Sequence, residues 1–154
     1  VLVVTRSDVV EFATATVNAL QDTKVHCLQF EHPEHGMGAT LAWGIAQAPE
    51  PWEQCLVCLS DMPFIRTASY QKLVCQLQHH EIVVPIHQNK LGNPAGFKAS
   101  LFPQLRALSG DQGGRKIIRQ NPQRVHELEL DDPGVLADID TPDDLQRYSA
   151  LSIA

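Results

Sequence analysis

Short apolar runs rich in Val, Ile and Leu recur along this chain, and a segment with helical spacing separates each from the next. The runs are Val1 to Val4, Val25 to Phe30, Cys55 to Leu59 and Ile82 to Ile86. Between them come Val10, Ala13, Val17 and Leu20, then Leu41, Ile45 and Ala48, then Tyr70, Leu73, Val74 and Leu77. Residues three or four apart share one helix face, whereas apolar runs without polar alternation suit strands covered on both sides. The order strand, helix, strand, helix, strand, helix, strand therefore predicts an α/β protein with a mostly parallel open sheet and helices on both faces.

The second half is less regular. Phe97 to Ser100 reads as a short strand, Leu101, Leu105 and Leu108 as a one-faced helix, and Asp111 as the cap of a helix through Ile117 and Ile118. Val125 to Leu130 alternates, which marks a half-exposed strand near a sheet edge. Leu136 to Ile139 suggests a last short strand. Ser7 or Asp8 is expected to cap the first helix. Thr141-Pro142-Asp143-Asp144 combines an N-cap threonine, a proline at the first helical position and first-turn acids, so a helix should start there and continue through Leu145, Tyr148 and Leu151 or Ser152.

With 154 residues the chain has room for one domain, residues 1–154, and a sizeable core. A net charge of -6 and the lack of a Lys/Arg stripe argue against a nucleic-acid backbone binder. No apolar run approaches the length of about 18 residues that a membrane span needs. Cys55 and Cys58 fall on opposite faces of a strand by alternation, so Cys27, Cys55, Cys58 and Cys75 are expected as buried free thiols, which implies the cytoplasm. The seven histidines show no metal-binding spacing, although His32 and His35 flank a loop. Because the chain opens at Val1 inside what reads as a core strand, sequence is expected to precede it.

Leu56-Val57-Cys58-Leu59-Ser60-Asp61-Met62-Pro63 carries the strongest chemical signal: an apolar run ends in a carboxylate, and a proline then turns the chain. Open α/β sheets bind ligands at the carboxyl ends of their strands. An aspartate there is either a turn former or a ligand-holding acid. Asp138-Ile139-Asp140 repeats the pattern at another expected strand end. A Mg²⁺ ion usually takes one or two carboxylates, with phosphates and water completing its shell, so Asp61 with Asp140 or Asp138 would suffice if the strand ends adjoin. Gly36-Met37-Gly38-Ala39-Thr40 offers backbone amides before a helix, Gly92-Asn93-Pro94 is a turn or a polar lip, and the paired glycines of Gly110-Asp111-Gln112-Gly113-Gly114-Arg115-Lys116 imply close packing beside Arg115 and Lys116, either of which could meet a phosphate. No nucleophile elbow and no Walker-type lysine loop is present, which favours direct attack by a substrate over a covalent route.

Taken in order, Leu59-Ser60-Asp61-Met62-Pro63, Gly36-Met37-Gly38-Ala39-Thr40-Leu41, Gly92-Asn93-Pro94, Gly110 to Arg115, and Asp138-Ile139-Asp140-Thr141-Pro142-Asp143-Asp144-Leu145 resemble the MobA-like nucleotidyltransferases, most closely the molybdenum cofactor cytidylyltransferase branch. The resemblance implies a Rossmann-like domain that transfers a CMP moiety from CTP to the terminal phosphate of molybdopterin and releases pyrophosphate. Asp61 would hold Mg²⁺, with Asp140 or its rival Asp138 as the second acid; Gly38, Thr40, Asn93 and Arg115 would serve the nucleotide. Asn93 stands where the family often has histidine, and Ser60 where it has glycine. The family's opening strand and Gly-rich phosphate loop have no counterpart here, so the chain resembles an amino-terminally shortened form with little activity alone. GTP or another nucleotide with a different phosphorylated acceptor is an alternative, as is a non-catalytic accessory protein that hands cofactor to an apo-molybdoenzyme or works with a chaperone.

Overall fold

The structure is a computed structural model that describes residues 1–22, 24–49 and 51–148. In chain order the elements are β1 (Leu2–Thr5), α1 (Val10–Ala19), β2 (His26–Gln29), α2 (Gly36–Ala46), β3 (Gln54–Val57), α3 (Thr67–Gln76), β4 (Ile82–His87), β5 (Lys90–Leu91), β6 (Ala95–Lys98), α4 (Phe102–Arg106), α5 (Gly114–Gln120), β7 (Val125–Glu129) and α6 (Pro142–Tyr148). They fall into two units. The first comprises Val1–Trp52 and Phe102–Arg119; the second comprises Glu53–Leu101 and the chain from Gln120 onward.

In the first unit β1 and β2 pair in parallel, from Leu2 opposite His26 to Thr5 opposite Gln29. Helix α2 lies flat on β1 because its inner face is small: Gly38, Ala42, Gly44 and Ile45 are buried, and a Cβ on Gly44 would stand only 3.0 Å from Val4 Cγ2. Phe102, Leu105, Leu108 and Ile117 complete this core. Helix α1 packs more lightly. Val10, Ala13 and Val17 are half-buried as their spacing predicts, but Leu20 is exposed. Neither Ser7 nor Asp8 caps α1, since Val9 occupies the N-cap and Asp8 is paired instead with Arg6 at 2.8 Å.

The second unit holds a sheet in the order β3, β6, β4, β7, with β5 paired to the end of β4. Strands β4 and β7 are parallel, and β6 is antiparallel to both β3 and β4, so β3, β4 and β7 share one direction. One strand of the expected parallel sheet is thus reversed. The cause is a tight hairpin after β4, where Gln88 and Asn89 both take positive φ, 51° and 62°, as a two-residue turn of this hand requires. Leu73 and Leu77 from the α3 stripe pack with Val83, flanked by Leu56 and Leu128. Truncating either leucine to alanine would cost about 2–5 kcal/mol. The parallel pair is pinned at its start: Arg124, just ahead of β7, grips Glu81, just ahead of β4, with both carboxylate oxygens engaged (Nε to Oε2, 2.6 Å).

The segment expected as a strand over Leu136 to Ile139 is not one. A 3₁₀ turn forms over Pro133–Leu136, because Asp132 caps it by accepting from Gly134 N–H and Pro133 supplies a fixed φ at its start. Helix α6 starts as its sequence predicts. Thr141 N–H and Oγ1 donate to Asp144 Oδ2 at 2.9 and 2.6 Å, while Asp144 N–H donates to Thr141 Oγ1 at 3.2 Å, a reciprocal cap. The proposed continuation through Leu151 or Ser152 lies outside the described residues. All four cysteines are free but none is fully buried: Cys27 and Cys55 are half-buried, Cys58 and Cys75 exposed. Burial still pushes the Cys55 thiol up to about 12, with Cys58 nearby adding to the shift. Among the described residues no helix is long and apolar enough to cross a membrane.

Candidate active site

In the second unit the shared direction of β3, β4 and β7 brings their carboxyl ends to one edge, and reversed β6 begins at that same edge. Asp61 follows β3 there, anchored by its neighbour Met62, which is 5% exposed. The chain after β7 returns to it: Ile139 N–H donates to the Asp61 carbonyl at 2.8 Å. Asp138 and Asp140, both exposed, therefore flank a residue clasped to Asp61. Asn93 precedes the cis bond to Pro94 that leads into β6, and its N–H donates to Val135 O at 2.9 Å. A single segment, 133–140, thus ties the Asp61 corner to the Asn93 corner.

Asp61 Oδ1 is buried and accepts no hydrogen bond, and it is the one such side-chain nitrogen or oxygen among the described residues. Buried polar atoms are almost always paired, because leaving one unpaired costs about 1–3 kcal/mol. An orphaned carboxylate oxygen, on a residue whose carbonyl is bonded to a segment carrying two further acids, is the kind of donor a hard divalent cation takes.

What positions this edge is an aspartate that the sequence reading missed. Asp132 is 2% exposed. Its Oδ2 accepts from Arg66 N–H at 3.0 Å and from Ser69 Oγ at 2.5 Å, and its Oδ1 accepts from Gly134 N–H at 3.0 Å. The carboxylate thus fastens the 3₁₀ turn to the start of α3. Arg66 adds a bond from its guanidinium to Asp131 O at 2.9 Å. The turn approaches the chain after Asp61 so closely that a Cβ on Gly134 would collide with Phe64 O. In the sequence, Asp131-Asp132-Pro133-Gly134 looks like an ordinary turn; only its contacts with residues more than sixty positions away distinguish it.

The remaining expected site residues belong to the first unit. Gly36 (φ 90°) and Gly38 press against the turn at Gly110-Asp111: Gly38 N–H donates to Gly110 O at 2.6 Å, and a Cβ on Gly38 would meet that oxygen at 2.7 Å. The amide of Gly38 is therefore taken up by the protein itself, and its lack of a side chain is explained by close backbone approach. Thr40 Oγ1 donates back to Gly36 O at 3.2 Å, as helical threonines do. The packing implied by the paired glycines is supplied by Met37, whose Sδ would stand 3.1 Å from a Cβ on Gly113. Arg115 is exposed at the start of α5. Contrary to the spacing argument, two histidines do gather. A 3₁₀ turn over Pro33–His35 brings His32, Glu34 and His35 together, the one trio of potential metal ligands among the described residues whose ligand atoms all lie within 4.8 Å of one another.

A mixed open sheet flanked by helices, with acids at its carboxyl edge, is the Rossmann-like architecture of nucleotidyltransferases. The structure of Rv0371c from Mycobacterium tuberculosis H37Rv superposes with a TM-score of 0.75 at 24% identity, covering 99% of this chain and 75% of that one. The 4-diphosphocytidyl-2C-methyl-D-erythritol synthase of Anaerococcus prevotii does so with 0.76 at 12% identity (99% and 78% covered). Molybdopterin-guanine dinucleotide biosynthesis protein A of Archaeoglobus fulgidus gives 0.61 at 21% (97% and 77%). At these identities the likeness concerns the fold. The model of the MobA-like NTP transferase domain matches residues 1–125, and the chain belongs to that family. Purine catabolism protein PucB of Bacillus subtilis is 28% identical over 113 residues, 72% of this chain; the chain spans 55% of PucB's length.

Proposed function

We propose that the protein carrying this chain transfers the CMP moiety of CTP to the terminal phosphate of molybdopterin, with Asp61 and one of Asp138 and Asp140 holding a divalent cation. The observation that carries this reading is the buried, unpartnered Oδ1 of Asp61 at a carboxyl edge where Ile139 is bonded to the same residue's carbonyl. Asp61, Asp138 and Asp140 do not form a trio with ligand atoms within 4.8 Å of one another; the reading calls only for Asp61 and one of the other two, with phosphates and water completing the shell.

In the proposed reaction an oxygen of the acceptor's phosphate attacks the α-phosphorus of CTP, a new P–O bond forms, the bond to the bridging oxygen breaks, and pyrophosphate leaves with that electron pair. A cation bound at Asp61 would offset the charge of the phosphate oxygens. The chain's own residues position and orient. Asp61 and the second acid fix the edge at which the phosphates meet, and Asn93 offers an amide hydrogen-bond donor to the nucleotide. The attacking phosphate is already ionised at neutral pH, so no protein base is required.

The test is pyrophosphate release by the full-length protein with molybdopterin, Mg²⁺ and either CTP or GTP. Faster release with CTP, and a loss of roughly 10²-fold or more in Asp61→Asn, is expected from removing one charged metal ligand. Wild-type turnover in Asp61→Asn would remove Asp61 from the reaction, and preference for GTP would refute the choice of nucleotide.

A further inference from the structure

The turn that leads into α2 holds a second arrangement of ligand-type groups, unrelated to the acids of the β3 edge. His35 N–H donates to His32 O at 3.0 Å, closing one 3₁₀ turn with Pro33 at its first position. This geometry lifts Glu34 between the two imidazoles. Its Oε1 lies 3.2 Å from His32 Nδ1 and 3.6 Å from His35 Nε2, and the two rings stand nearly parallel, 5.2 Å apart at 16°. An ion bound tetrahedrally with bonds of about 2.0–2.1 Å spaces its ligand atoms roughly 3.3–3.4 Å apart, so the two observed separations bracket the edge of such a shell.

The scaffold beneath the turn is firm. The His32 ring meets the ring of Phe30 edge-on at 6.3 Å, and Phe30, 8% exposed, is itself packed against Trp43 of α2. On the other side Gly36 and Gly38 are clamped to Gly110 and Asp111. Both ends of the turn are therefore fixed, while the three side chains themselves remain open to solvent.

We propose that His32, Glu34 and His35 form a binding site for a late divalent transition metal of the Zn²⁺ class, with water completing the shell. Two imidazoles and one carboxylate suit zinc, cobalt, nickel or copper and disfavour magnesium and calcium, which take oxygen ligands. The proposed ion would sit on the chain just before α2, staple the turn and stiffen the entry to that helix.

The experiment is a titration of the metal-free chain with Zn²⁺ against a fluorescent chelator, paired with Co²⁺ absorption as a report of geometry. One equivalent of Zn²⁺ and the intense visible bands of four-coordinate Co²⁺ are expected for the wild type and for Asp61→Asn. Both should be lost in the double variant His32→Ala/His35→Ala and weakened in Glu34→Gln, with wild-type melting curves in chelator showing that each variant is folded. All three side chains are solvent-exposed, so none of these changes removes a buried group. Failure of the wild type to bind Zn²⁺, unchanged binding in the double variant, or Co²⁺ bands of an octahedral, all-oxygen shell would each overturn the proposal.

Discussion

Asp61→Asn should make the protein more stable when no divalent ion is present and less responsive when one is. The wild-type side chain keeps one carboxylate oxygen buried without a hydrogen bond, close in chain path to two further acids. An unpaired buried polar atom costs about 1–3 kcal/mol; the residue as a whole is half-buried, and an amide still carries an oxygen, so recovery at the low end, about 1 kcal/mol, is expected. For a chain of this size that amounts to a Tm increase of roughly 2–4 °C. In Mg²⁺ at about ten times its Kd, linkage should add about 1.4 kcal/mol to the wild type and nothing to the variant. The two melting curves should then exchange order between chelator and Mg²⁺. Differential scanning calorimetry in EDTA and across a Mg²⁺ series reads this directly. Destabilisation of Asp61→Asn by more than about 1 kcal/mol in EDTA, or equal stabilisation of both proteins by Mg²⁺, would refute the reasoning.

Three further outcomes follow from the geometry. Asp132→Ala leaves the donors of Arg66, Ser69 and Gly134 without their acceptor, so urea unfolding should show a loss of about 3 kcal/mol or more, and a loss under about 1 kcal/mol would mean that water takes the carboxylate's place. The Arg124 guanidinium, with help from Ser100, holds the Glu81 carboxyl at about 2, below its unfolded value; the stability it contributes is therefore present above the ordinary carboxylate range and is lost as pH falls toward 2. Arg124→Gln should move the acid-unfolding midpoint upward, and an unchanged midpoint would count against the clamp. Desolvation, then His126 stacked 3.8 Å away, lowers the pKa of His80, so the folded state binds fewer protons than the unfolded chain and stability declines as pH drops below the normal histidine range. His126→Gln should flatten the dependence of Tm on pH between neutrality and mildly acidic conditions.

Much of the α/β layout was legible because β4 and the α3 stripe are strongly patterned: Ile82, Val83, Val84, Leu73 and Leu77 are all buried where periodicity puts them. Strand direction was not. Ala95–Lys98 is a short strand containing a glycine, and nothing in its alternation says which way it runs; the positive-φ pair Gln88-Asn89 lacks the glycine that normally advertises such a hairpin. The site was legible in part for a related reason. Asp61 and Asp138-Ile139-Asp140 stand out as acids after apolar residues, but the chain reaches Asp61 through a 3₁₀ turn and an isolated backbone bond rather than through a strand. Asp132 could not be read because its partners are remote in sequence. His32, Glu34 and His35 escaped because their convergence depends on a 3₁₀ turn, which brings positions three apart, His32 and His35, over one another, and not on α-helical or strand spacing.

The claim most exposed to direct test is that Asp61 Oδ1 waits for a cation. Anomalous diffraction from crystals of the protein soaked in Mn²⁺, a substitute for Mg²⁺ that scatters strongly, would locate the ion. A peak at metal–oxygen bonding distance from Asp61 Oδ1, with Asp138 or Asp140 on its other side, is the result the account predicts. Manganese bound elsewhere, with Asp61 Oδ1 left bare at saturating concentration, would contradict it.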